Sequence, residues 1–190
     1  MGGVTIGGVG DAIPELIDRL VYISAGGCAE VLSIVDDSQT SANQASLLFS
    51  LADAAVGDPA QIGAGRANYR SADRTFLAAA KAALMAEATD QQFMAFLATL
   101  QPDESLALML TDARVQAQTR GTIRRSYIRL REDSAIPLAT QDRMIAEADA
   151  LSPHNRFEVQ TLATSHVGFL LRAREVASML AGLASADQEP

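Results

Sequence analysis

Apolar residues along the chain fall into two kinds of pattern. "RLVYIS" (Arg19 to Ser24) is an unbroken apolar run between turn signals, as strands buried on both faces of a parallel sheet are. "SYIRL" (Ser126 to Leu130) and "FEVQTLA" (Phe157 to Ala163) are rich in aromatic or β-branched residues and read as two further strands. Elsewhere the apolar positions recur with helical spacing. Phe93, Phe96, Leu97 and Leu100 follow i, i+3, i+4, i+7, and Thr89 with Gln92 forms a capping box at the entry. Phe76, Leu77, Ala80 and Leu84 share one face of an alanine-rich stretch before them. Met144, Ile145, Ala148 and Leu151 make one later stripe, and Val176, Met179, Leu180 and Leu183 another. Such stripes are core, and their methionines need no cofactor to explain them.

The order is therefore helix, strand, a long helical stretch, then strand, helix, strand, helix. A closing βαβα run predicts an α/β fold with a parallel sheet. Residues 27–120 are too many for a loop and carry helices of their own, so they read as a helical cap insertion. Residues 1–26 and 121–190 then form the sheet core of a single domain. No internal repeat is present.

Length and composition agree with one globular domain: 190 residues, 48% hydrophobic, are enough to bury a sizeable core. No apolar run reaches the roughly 18 residues of a membrane span, and the start lacks a basic region before Asp11, so neither a membrane segment nor a secretory signal is expected. Fifteen basic against 23 acidic residues give a net charge of -8, which disfavours broad binding to nucleic acid or acidic membrane. Five arginines between Arg120 and Arg131 alternate with Tyr127, Ile128 and Leu130, and are expected on solvated strand edges. The single cysteine, Cys28, excludes an intrachain disulfide and a thiolate zinc cluster, and a reducing, cytoplasmic setting is expected.

In parallel α/β sheets ligands bind beyond the carboxyl ends of the strands. Gly26, Gly27 and Cys28 follow the first strand, "REDSAIP" with Glu132 and Asp133 follows the second, and "TSHVGF" with His166 follows the third. An acid after one strand and a histidine after the next is the order of an orienting carboxylate and a general base. A lone aspartate before a helix is also a common cap, and a lone histidine a common surface residue; His154 beside Pro153 is read that way. Two histidines far apart give no metal signature, and the glycine-rich start has neither a P-loop nor a dinucleotide pattern, so no cofactor or metal is expected.

These segments resemble a known family. "MGGVTIGGVGDAIPELIDRLVYISA" is similar to the stretch after the nucleophile in α/β-hydrolases of the hydroxynitrile lyase and plant methyl-esterase type, where Gly-His-Ser-Met-Gly-Gly leads into a small-residue helix and a strand. "GTIRRSYIRLREDSAIP" resembles the strand that delivers the triad acid, and "TSHVGFLLRAREVASML" the histidine loop and final helix. The resemblance spans nearly all 190 residues, the cap least distinctively. It implies a partial α/β-hydrolase fold of about three parallel strands, with Asp133 as the orienting acid and His166 as the general base. Gly26 to Glu30 would border the pocket.

The same resemblance puts the nucleophile serine immediately before Met1, so the chain is expected to lack it together with the oxyanion loop. Cys28 could stand in as a nucleophile or be a small half-buried residue; Ser165 points away from its neighbour His166. Three readings follow. One is the acid–base half of an esterase-like hydrolase, completed by a partner or an upstream segment. Another is an inactive module that binds a small apolar molecule or acts as a dimeric scaffold. The third is a portion of a longer esterase. The edge of Arg19 to Ser24 is expected to pair with a second copy or a complementing chain.

Overall fold

The computed structural model describes residues 1–27 and 30–186. Cys28 lies outside the described residues. Helix α1 (Gly2–Ala12) leads through a short 3-10 turn to strand β1 (Arg19–Ile23). A helical insert follows, and the chain then returns through β4 (Arg124–Leu130), α7 (Leu138–Leu151), β5 (Glu158–Leu162) and α8 (Ala173–Ala186). The three long strands form one sheet in the order β1-β4-β5, parallel throughout. Tyr22 stands opposite Tyr127, and Leu130 opposite Leu162.

Side-chain alternation divides the sheet into two buried faces. Leu20, Tyr22 and Tyr127 point to one, where Ile6 of α1 and Ile145 of α7 cover them. Val21, Ile23, Ile128 and Leu130 point to the other, under Val176 and Met179 of α8. Burial on both faces is why β1 and β4 are not simple alternating strands. The rings of Tyr22 and Tyr127 lie parallel with centroids 6.2 Å apart, and Phe157 meets each edge-on.

Helix α1 approaches the sheet through glycine. Gly3, Gly7 and Gly10 fall on its buried side. A methyl on Gly3 would collide with the Gly26 carbonyl, and one on Gly7 with the Arg120 guanidinium. Gly2 and Gly8 face open space.

The insert contains α2 (Ile34–Ser38), a 3-10 stretch (Leu47–Ala54), α3 (Pro59–Ile62), α4 (Arg74–Leu84), α5 (Asp90–Thr99) and α6 (Leu106–Met109). It also contains an antiparallel ribbon of β2 (Ala64–Arg66) and β3 (Asp103–Ser105), which the helical pattern does not announce. Thr89 and Gln92 form the capping box of α5. Phe76, Ala80, Leu84, Phe93 and Leu97 close into one cluster, joined by Ala135 and Val167 from the two loops beyond β4 and β5. Burying a side chain such as Phe93 is worth about 1.5–3 kcal/mol.

Two sequence expectations need correction. Arg120 and Arg125 are not solvated: they are 2% and 3% exposed. Arg120 fits the groove left by Gly7 and lies 3.8 Å from Asp11, while Arg125 stacks over Phe157 at 4.7 Å and lies 3.8 Å from Asp149. An acid near each guanidinium and an aromatic face offset the cost of burial. Leu151 and Leu180, read as parts of core stripes, are exposed, because each stripe is wider than the surface its helix covers.

Candidate functional site

Strands β1, β4 and β5 run parallel, so their carboxyl ends open on the same edge of the sheet, and the loops there carry the candidate residues. Past β4 the chain turns sharply: the Asp133 amide donates to the Leu130 carbonyl at 3.3 Å. Asp133 Oδ1 accepts the amides of Ala135 (2.7 Å) and Ile136 (2.8 Å), an Asx-type turn that fixes the carboxylate. Its Oδ2 accepts from the ring Nδ1–H of His166 at 2.8 Å and from the Ser24 hydroxyl. The Asp133 side chain is closed to solvent, and that of His166 is 26% exposed. Every acceptor direction of this buried carboxylate is thus used. With Nδ1 donating, His166 keeps its Nε2 lone pair, the tautomer a general base needs.

The structure brings together Asp133 and His166, the two residues that order along the chain had singled out. Glu132, beside Asp133, is exposed. His154 is exposed too. Ser165 turns from the dyad toward the insert, where its hydroxyl donates to Glu87. Among the described residues, the hydrogen bonds of the His166 ring go to Asp133 alone.

Three residues that the sequence patterns did not pick out shape the site. Ser24, immediately past β1, has φ of 37°, a left-handed conformation that disfavours a side chain with a Cβ. The kink carries its hydroxyl to Asp133 while its amide still extends the ladder to the Ile128 carbonyl at 3.1 Å. Gln141 of α7, fully buried, accepts the Leu130 amide and donates to the carbonyls of Leu130 (3.0 Å) and Ile136 (2.8 Å). It ties both ends of the acid loop. Glu87, in the turn between α4 and α5, accepts hydrogen bonds from Thr164 and Ser165 just before His166. Burial works to raise the Glu87 carboxyl, but these hydrogen bonds outweigh it and hold the group below the usual glutamate range. A polar residue inside an otherwise apolar helix face was the one available signal for Gln141; Ser24 and Glu87 had none.

Among the described residues no group of three histidine, cysteine, aspartate or glutamate side chains could hold a metal ion. Nor is any described helix long and apolar enough to cross a membrane.

No family model matches the sequence, and no curated protein matches it. Solved structures do resemble it. A pyrethroid hydrolase superposes with a TM-score of 0.72 at 18% identity, over 100% of this chain and 69% of that one. A histidine-to-alanine variant of polyneuridine aldehyde esterase gives 0.69 at 17% identity, over 96% and 68%. A variant of tomato methylketone synthase I with β-ketoheptanoate gives 0.58 at 14% identity, over 98% and 69%. With its parallel sheet, its flanking helices and this likeness over its whole length, the chain has the fold of the α/β-hydrolases, over the part that runs from a glycine-rich helix to the last helix.

Proposed function

We propose that Asp133 and His166 are the acid and base of a serine-hydrolase site of the esterase type, acting on a small, largely apolar ester. The observation that carries this is the buried carboxylate held 2.8 Å from the Nδ1 of a part-exposed histidine, at the carboxyl ends of adjacent parallel strands. In such a site the histidine takes the proton of a serine hydroxyl and later returns it to the leaving group, and the aspartate orients the ring and stabilises the imidazolium. The nucleophile and oxyanion-hole donors come from polypeptide outside these 190 residues, upstream in the same chain or in a partner. The esterase names among the structural neighbours favour acyl hydrolysis over other uses of the dyad.

The test is labelling by a fluorophosphonate probe, with the upstream-encoded polypeptide supplied in cis or by co-expression. A serine outside the 190 residues should label, and His166→Ala should abolish labelling. Asp133→Asn should lower turnover by roughly four orders of magnitude through the wrong histidine tautomer. Absence of labelling and turnover with that polypeptide present would refute the reading.

A second reading keeps the same fold and the same His166–Asp133 contact without chemistry. The chain would then be an inactive module that binds a small apolar molecule. Its signature is ligand-induced stabilisation that His166→Ala and Asp133→Ala leave unchanged. In either case the outer edge of β1, which has no strand partner among the described residues, would pair with a second copy or a complementing chain.

A further inference from the structure

The loop that carries His166 is held from the insert at two points. Leu84, the last residue of α4, accepts the Val167 amide at 2.8 Å, and its carbonyl oxygen lies 3.3 Å from the Ser165 hydroxyl oxygen. Three residues on, Glu87 presents its carboxylate to the same loop. Its Oε1 accepts the Thr164 hydroxyl and the Ser165 amide, the latter at 3.1 Å, and its Oε2 accepts the Ser165 hydroxyl. His166 therefore sits between two residues, Ser165 and Val167, that residues of the insert grip. Thr164 and Ser165 are 0% and 1% exposed, and Glu87, itself exposed, is the group that covers their donors. Gly168 leaves the space the carboxylate needs: a Cβ there would collide with Glu87 Oε1 and Thr164 Oγ1.

We propose that Glu87 is a positioning residue for His166: its carboxylate latches the insert to the histidine loop and thereby aims the imidazole at Asp133. A glutamate that merely capped the turn after α4 would bond within its own element. This one, besides a bond to its own backbone amide, sends both oxygens to a loop 77 and 78 residues away. Charged acceptors bind such donors about twice as strongly as neutral ones, which suits a contact that must hold one ring orientation. The relevance to catalysis rests on the reading of His166 as a base. The latch itself rests on the geometry alone.

The experiment uses the chain without any substrate. It follows the His166 Nδ1 proton by NMR and the amide hydrogen exchange of residues 165–168, with α5 as internal reference. Glu87→Ala removes the latch, and Gly168→Ala displaces it while leaving Glu87 chemically intact. Both should speed exchange of the Nδ1 proton and the loop amides by about tenfold or more, with α5 within about twofold. Glu87→Gln keeps the shape and should fall between, which preserves a reading where either alanine variant fails to fold. Asp90→Ala, which removes the neighbouring Lys81 ion pair, should leave the His166 signals unchanged. Unchanged His166 signals in all three latch variants, or equal acceleration of loop and α5, would overturn the proposal. Because no readout involves turnover, failed fluorophosphonate labelling would sink the hydrolase reading and leave this one standing.

Discussion

Gln141 shows how one buried polar side chain can hold a site together. Its amide meets three backbone groups at the acid loop, and it is shut from solvent. Gln141→Leu matches its size but leaves those groups unpaired in the interior, at about 1–3 kcal/mol for each unsatisfied group. Chemical denaturation should show a loss of about 2–4 kcal/mol, whereas replacing exposed Gln91 should change almost nothing. Residues of this kind explain what the sequence could and could not reveal about the site. The meeting of Asp133 and His166 was legible because each follows a strand of one parallel sheet, so that both loops open on the same edge. Ser24 was not, since its role depends on a positive φ that no neighbouring glycine signals. Glu87 was hidden because its partners lie far along the chain and its own segment reads as an ordinary helix connection.

Helix α1 sharpens the same contrast at the level of an element. The five glycines of the start, "MGGVTIGGVG", are not all donors of flexibility: Gly3, Gly7 and Gly10 form a buried stripe against Gly26, Arg120 and Leu20. Gly3→Ala should destabilise the fold by about 1–3 kcal/mol, because the Gly26 backbone cannot yield as a side-chain tip would. Gly8→Ala, on the open side, should be stabilising by about 0.5–1 kcal/mol through helix propensity. Thermal unfolding of the two variants separates packing glycines from incidental ones. The strands and main helices could be read from hydrophobic spacing, since each covers its own length of core. The β2–β3 ribbon could not: three residues per strand carry too little periodicity. The buried arginines also escaped, because sequence shows their charge but not the acids and the aromatic ring that meet them.

For the whole molecule, the open edge of β1 sets the expected behaviour in solution. On one side β1 pairs with β4; on the other its backbone has no strand partner among the described residues. Leu16 beside it is 74% exposed, and an open groove lined by Ile17, Val21, Leu180 and Leu183 runs along the α8 face. An apolar strand edge of this kind invites pairing. Light scattering of the isolated chain should give a mass above the monomer, falling to a defined complex when a complementing polypeptide is present. A stable, monodisperse monomer would remove the pairing proposal.

The shared cluster of insert and loops has a consequence for redesign. Ala135 and Val167, one from each loop of the dyad, are packed into the same apolar body as Phe76, Leu84 and Phe93. The insert is therefore not a separate lid that can be exchanged while Asp133 and His166 stay as they were. A graft that replaces the insert must keep the Leu84 carbonyl and the Glu87 carboxylate in register with residues 164–167, or it will move His166 along with it.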